Sequence, residues 1–266
     1  MTTAPGSLLP AAIQAVSIAS DLMRTRMPGL LTAKGDRDMA SEVDYAVERA
    51  VREYLQQQTP SIAVLGEEEG TTGDTNGELL WALDPVDGTA NFVRGLPLCG
   101  ISLGLIHRGR SVLGVIDLPF LGTRYSAVQH AGAFLDGRRL QASSTSNLND
   151  AIVAIGDYAV GQDAAAKNRL RFALTERLAA QTQRVRMLGS AAVDLTWIAE
   201  GKLDASLTMS NKPWDTAAGV IIAREAGAII MDKDGTEHTA HSTATIAVAP
   251  KLADEIATLV HEAQAT

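Results

Sequence analysis

A mixed α/β fold of layered sheets and helices is predicted for this 266-residue chain on three observations. Apolar residues recur at helical spacing in two N-terminal segments, Leu9, Ile13, Val16 and Ala19 in the first and Val43, Val47, Val51 and Tyr54 in the second. Residues 98–135 hold apolar runs parted by Gly-containing turns, the texture of consecutive antiparallel strands. After residue 150 strand-like and helix-like stretches alternate. No obvious linker divides the chain, so one domain over residues 1–266 is expected, divisible at most into sub-domains near 1–145 and 146–266.

Taken in order, the first helix has Ser7 as its N-cap and Pro10 in its first turn, and Met27-Pro28-Gly29 stops it. The second opens at Ser41-Glu42-Val43-Asp44, a Ser-x-x-acid pattern resembling a capping box, and ends at Thr59-Pro60-Ser61. A short strand over 62–65, a polar loop through Asn76-Gly77 and a strand over 79–83 follow. Strands are expected at 98–106, 111–117 and 124–128. Beyond them come a strand at 151–156, a helix near 165–180, a strand at 184–187, a helix near 190–200 and a strand at 203–207. A helix then follows Trp214-Asp215, strands lie at 229–230 and 244–249, and residues 251–263 form a closing helix.

Composition narrows the function. A net charge of −8 with no basic run argues against nucleic acid or an anionic membrane as a direct partner. Cys99 is the only cysteine, which rules out an internal disulfide framework and a multi-cysteine metal site, suits a reducing cytoplasm, and reads as a small buried hydrophobe. The opening MTTAPGSLLP has no positive region, and the apolar stretch after it is broken by Gln14, Ser17, Ser20 and Asp21, so neither a signal peptide nor a membrane span is expected.

Three stretches put carboxylates where an element begins or ends: Gly66-Glu67-Glu68-Glu69-Gly70, Asp84-Pro85-Val86-Asp87-Gly88-Thr89, and Trp214-Asp215 at a helix start. Each has a bland reading. Asp215 and Asp44 serve as helix caps, the three glutamates as a solvated loop, and Asp84 and Asp87 as turn formers. Together they fit cation and phosphate chemistry better. Pro85 stops the ladder and frees the Val86 carbonyl, while Gly88 clears space for an anion facing the N–H groups of a short helix at Thr89. Four converging acids cannot all ionise without cations, and an oxygen-only donor set selects a hard divalent metal such as magnesium.

LDPVDGTANF at 83–92 with Pro97, Gly66-Glu67-Glu68 upstream and WDTAAG at 214–219 resembles the inositol monophosphatase superfamily. Lys34 with the segment 38–44, and Gly189-Ser190-Ala191-Ala192, are similar to that family's N-terminal and substrate-side elements. The resemblance implies a layered αβαβα sugar-phosphatase sandwich with mixed and antiparallel sheets. It implies that Glu67, Asp84 and the Val86 carbonyl hold one Mg²⁺ and that Asp84, Asp87 and Asp215 hold a second, in a set of two or three ions for which Mn²⁺ substitutes. It further implies that Asp44 and Thr89, with Glu67 nearby, orient the attacking water. Gly88 and Thr89 would meet the phosphate and Gly189, Ser190 and Ala191 the substrate, in a lithium-sensitive cytoplasmic homodimer.

The expected reaction is hydrolysis of a small polyol or sugar phosphate, inositol monophosphate first, with histidinol phosphate as the alternative. Inositol-specific members carry an acid seven positions before the WD aspartate; here Thr208 stands there. Other readings fit less well. A haloacid dehalogenase loop places its second Asp at i+2, whereas Asp87 is at i+3. Gly100-Ile101-Ser102-Leu103-Gly104 matches the G-x-S-x-G of serine hydrolases but reads as a continuing strand. His238 and His241 read as part of a solvated loop, and a non-catalytic binding member would have lost a ligand, which this chain has not.

Overall fold

Helical patterning at the N-terminus becomes a pair of helices packed together on one face of a large sheet. The computed structural model describes residues 4–35 and 38–265; residues 1–3 and the side chain of Asp38, part of the expectations above, lie outside the described residues. Helix α1 (Leu9–Thr25) follows a 3-10 turn at Pro5–Leu8. Ser7 is therefore not the N-cap: it sits inside that turn and its hydroxyl donates back to the Ala4 carbonyl at 2.8 Å. The run Pro5–Thr25 is long and apolar enough to cross a membrane by length and composition, yet Ala12, Ala15, Val16, Ala19 and Met23 are buried in the core.

A hairpin of β1 (Leu31–Gly35) and β2 (Asp38–Ser41), too short and polar to register in the sequence, leads into α2 (Glu42–Gln58). The capping box forms: Ser41 Oγ accepts from the Val43 N–H at 3.2 Å, and Asp44 accepts the Ser41 N–H at 2.9 Å.

Next come β3 (Ala63–Gly66), β4 (Gly70–Thr72), β5 (Leu79–Asp87), the short helix α3 (Thr89–Val93), β6 (Gly100–His107), β7 (Arg110–Leu118), β8 (Thr123–Val128), β9 (Gly132–Leu135) and β10 (Arg138–Arg139). The strands form an eight-stranded sheet in the order β10-β9-β8-β7-β6-β5-β3-β4, antiparallel except where β3 lies beside β5. Helices cover both its faces, which is why β6 and β7 read as nearly unbroken apolar runs. Trp81 is fully buried under α2, its indole N–H donating to Thr59 Oγ1 at 3.1 Å.

The second half runs β11 (Ile152–Ile155), α4 (Ala164–Gln181), β12 (Arg184–Arg186), α5 (Ala191–Ala199), β13 (Ala205–Thr208), α6 (Pro213–Glu225), β14 (Ile229–Met231), β15 (Thr245–Val248) and α7 (Ala253–Gln264). Its five strands are ordered β12-β11-β13-β15-β14, parallel on one side and antiparallel on the other. Helices α5 and α6 lie between the two sheets, while α4 and α7 pack on the outer face of the second, giving the layers αβαβα.

Burial corrects the reading of His238 and agrees with that of Ser102. His238 is buried rather than solvated, its ring Nε2 lying 3.0 Å from Thr245 Oγ1, and burial holds its pKa down at about 4. Ser102 lies within β6, fully buried, with no strand-turn-helix elbow.

Candidate active site

The acidic stretch of β5 owes its geometry to a bulge. Asp84 pairs with Ser102 and Asp87 with Gly100, so three steps along β5 match two along β6. In a regular strand residues three apart point to opposite faces; the extra residue brings Asp84 and Asp87 to the same side. Pro85, which has no N–H to give the ladder, sits in that bulge. Asp84 and Asp87 are therefore strand residues and not turn formers. Gly88 ends the strand at φ +84°, and a Cβ there would lie 3.0 Å from the Leu98 carbonyl, so glycine is required twice over. Thr89 Oγ1 lies 3.0 Å from the Val86 carbonyl and 3.1 Å from Asp44 Oδ1, with one proton to share between them. Asp44 thus caps α2 and reaches the site with the same carboxylate.

Glu67 is placed by a buried buttress that the sequence pattern did not reveal. From α2, Glu48 accepts the N–H groups of Glu68 and Glu69, both at 2.9 Å. Arg52 grips Glu48 at 2.9 and 2.6 Å and also bonds the Val64 carbonyl, Thr72 Oγ1 and the Gly70 carbonyl, so the pair spans both strands flanking the turn. Gly66 has no room for a side chain, because a Cβ would collide with the Glu48 carboxylate. In sequence Glu48 and Arg52 look like a surface i,i+4 pair; only their place on the Val47 and Val51 side of α2 hinted at burial.

The loop is not simply solvated. Lys34 Nζ bonds Glu67 Oε1 at 2.9 Å and Glu68 Oε1 at 2.8 Å. The Glu68 side chain is fully buried, and burial pushes its pKa up to about 7 against the pull of Lys34. Glu69 points away and pairs with Arg49 at 2.6 Å.

Asp215 arrives from the opposite side of the sheet. It is the third residue of α6 and not its N-cap, which is Lys212. The helix lies close because β6 and β7 carry Gly104 and Gly114 beneath it; a Cβ on Gly104 would stand 2.7 Å from the Ala218 nitrogen. Ser102 Oγ donates to the Trp214 carbonyl at 3.2 Å, fastening the helix start. As a result one oxygen each from Glu67, Asp84 and Asp215 lies within 4.8 Å of the others. Asp87 stands beside this trio with its carboxylate accepting from Ser190 Oγ, the Ala191 N–H at 3.3 Å and the Ala192 N–H at 2.7 Å at the start of α5.

The crowding shows in the acids. Burial first, then the charges of Glu67, Asp87 and Asp215, raise the Asp84 pKa well above the usual carboxylate range. Asp215 is pushed up to about 8 by burial and Asp87, against Lys212. Asp87 rises to about 6 by burial, although the Ser190 and α5 hydrogen bonds oppose it. An all-oxygen set whose members resist shared ionisation fits a hard divalent cation. Gly189, Ser190, Ala191 and Thr208 line a cavity of about 270 Å³ together with Asp87 and Asp215. Arg171, Asp157 and Asp194 line it too, and no motif had singled them out.

Comparison with known proteins adds to this geometry. Residues 5–265 match the inositol monophosphatase family. A fructose-1,6-bisphosphatase/inositol-1-monophosphatase of Thermotoga maritima is 34% identical over 228 residues, 86% of this chain and 84% of that protein. The Nus factor SuhB of Pasteurella multocida is 32% identical over 225 residues, covering 85% and 83% respectively. Among solved structures, an IMPase of Thermotoga maritima superposes with a TM-score of 0.87 at 30% identity, covering 97% of this chain and 98% of that one.

Proposed function

The chain belongs to the inositol monophosphatase family and is a phosphoric monoester hydrolase, and from that premise we propose that it is Mg²⁺-dependent and acts on a small polyol or sugar phosphate. The observation that carries this reading is the convergence of Glu67, Asp84 and Asp215, from three separate parts of the chain, within 4.8 Å. Glu67, Asp84, the Val86 carbonyl, Asp87 and Asp215 would hold the magnesium, and Mn²⁺ would fit the same oxygens. Bound there, magnesium supplies charge neutralisation, polarisation of the phosphate and a lowered pKa for water.

The chain's own groups then do the positioning on which phosphoryl transfer depends. Thr89 Oγ1, 3.1 Å from Asp44 Oδ1, would orient a water and pass a proton toward the Asp44 carboxylate. N–H groups at Gly88 and Thr89 meet the phosphate, and the start of α5 faces the leaving group. No covalent enzyme intermediate is needed. By family frequency inositol monophosphate leads the substrates and histidinol phosphate follows. The buried lone Cys99 supports a cytoplasmic setting, and the family resemblance supports a lithium-sensitive homodimer.

The test is phosphate release from inositol 1-phosphate, histidinol phosphate, fructose 1,6-bisphosphate and 3′-phosphoadenosine 5′-phosphate, with Mg²⁺ or EDTA, by wild type and Asp84→Asn. Turnover that needs magnesium and is lost in the variant supports the reading. Turnover that survives both EDTA and the substitution refutes it.

A further inference from the structure

We propose, resting on the phosphomonoesterase reading, that Arg171 and Lys212 form a second anion subsite in the cavity, so that among small polyol and sugar phosphates the preferred substrate carries a further phosphate or carboxylate besides the scissile ester, in place of the inositol monophosphate that family frequency alone puts first. The two cations come from distant parts of the chain, α4 and the residue before α6, yet line the same 270 Å³ space as Asp87, Asp215 and the start of α5. Arg171 is held there by backbone acceptors: Nη2 donates to the Met209 carbonyl and Nη1 to the Lys167 carbonyl, each at 3.0 Å. Burial works against its charge. Lys212 Nζ stands 5.8 Å from the centre of the Trp214 ring.

Among the described residues no carboxylate makes an ion pair with either cation. A guanidinium offers five N–H donors and no acceptor, and carbonyls engage Arg171 through Nη1 and Nη2 only. Arg171, a partly desolvated guanidinium with no carboxylate partner, calls for an anion, and Lys212, whose charge also acts on Asp215, adds to the positive field beside it. Asp157 and Asp194 share the lining, but Asp157 is exposed, Asp194 is only 3% exposed, and neither lies within ion-pairing distance of Arg171 or Lys212. Thr208 bears on the same point. It adjoins the Met209 carbonyl that anchors Arg171, and an acid in its place would put a negative charge on the wall an anion must approach.

Matched pairs test the subsite with Mg²⁺ present: fructose 1,6-bisphosphate against fructose 1-phosphate, and 6-phosphogluconate against glucitol 6-phosphate. In wild type the doubly anionic member of at least one pair is expected to have a kcat/KM about tenfold or more above its partner, the size of a charge-assisted hydrogen bond. Which pair responds distinguishes a phosphate from a carboxylate. Arg171→Gln is expected to bring that ratio to within about threefold, mainly through KM, and Arg171→Lys to retain part of it. Ratios near one in both pairs for wild type overturn the proposal without recourse to any variant. A ratio undiminished in a folded Arg171→Gln removes Arg171 from the subsite and overturns it as well. Wild type that releases phosphate from none of the four overturns the subsite alone if it still hydrolyses inositol 1-phosphate and sinks the phosphomonoesterase reading with it if it does not, whereas equal turnover within each pair sinks the subsite alone.

Discussion

Asp84 is a crowded acid, with Glu67, Asp87 and Asp215 all raising its pKa after burial has done so. Function and stability are opposed at such a position. Asp84→Asn is expected to lower magnesium-dependent phosphatase activity by about 10³-fold or more. The same change, by removing a repelled charge, is expected to raise the stability of the chelated protein by on the order of 1 kcal/mol at pH 8. Kinetics in Mg²⁺ and denaturant titration in EDTA check the two halves. At this scale the sequence was informative about residues whose chemistry is local, since DPVDGT writes its carboxylates, proline and glycine side by side. It was silent on Arg171, which reaches the cavity only because α4 packs beside β12 and its guanidinium finds the Met209 carbonyl 38 residues away.

The elements carry the acids to one another, and two devices control this. The Glu48 and Arg52 pair holds the Glu67 turn from behind. Glu48→Gln keeps the shape but gives up charge and one acceptor, so calorimetric Mg²⁺ affinity is expected to fall about 10- to 100-fold, as for other groups that support metal ligands. An affinity unchanged within error would show that the turn holds itself. Gly114 is the second device: a Cβ there would lie 2.5 Å from the Ala218 carbonyl. Gly114→Ala is expected to destabilise by about 1–3 kcal/mol by prising α6 off the sheet, and to weaken Mg²⁺ binding through Asp215. Thermal melting and calorimetry measure both effects. Long periodic elements such as α1 and α2 were legible in the sequence. The short strands β1, β2, β4 and β10 were not, because their residues are largely polar or exposed and their pairing depends on partners rather than on pattern.

For the whole molecule, the acid cluster sets how stability responds to pH. Asp84, Asp87 and Asp215 have folded pKa values raised above 3.8, so the native state holds more protons than the unfolded one and loses stability as pH rises through that window. His238 acts oppositely, but only between its ordinary 6.5 and its folded value of about 4. From pH 6.5 to 8 the acids act alone. The melting temperature in EDTA is therefore expected to fall over that range, and added Mg²⁺ to reverse the trend; a flat chelated profile would show that the cluster is not strained. The layers themselves were foreseeable from alternating texture, but the close seating of α6 against Gly104 and Gly114 was not, since both glycines read as ordinary strand residues. The bulge in β5 bears on ancestry as well as on shape. Two acids at i and i+2 share a face in any regular strand, and substitution alone can create or erase them. Acids at i and i+3 share one only when a residue has been added, so the spacing of this pair depends on an insertion in the strand and not on substitution alone.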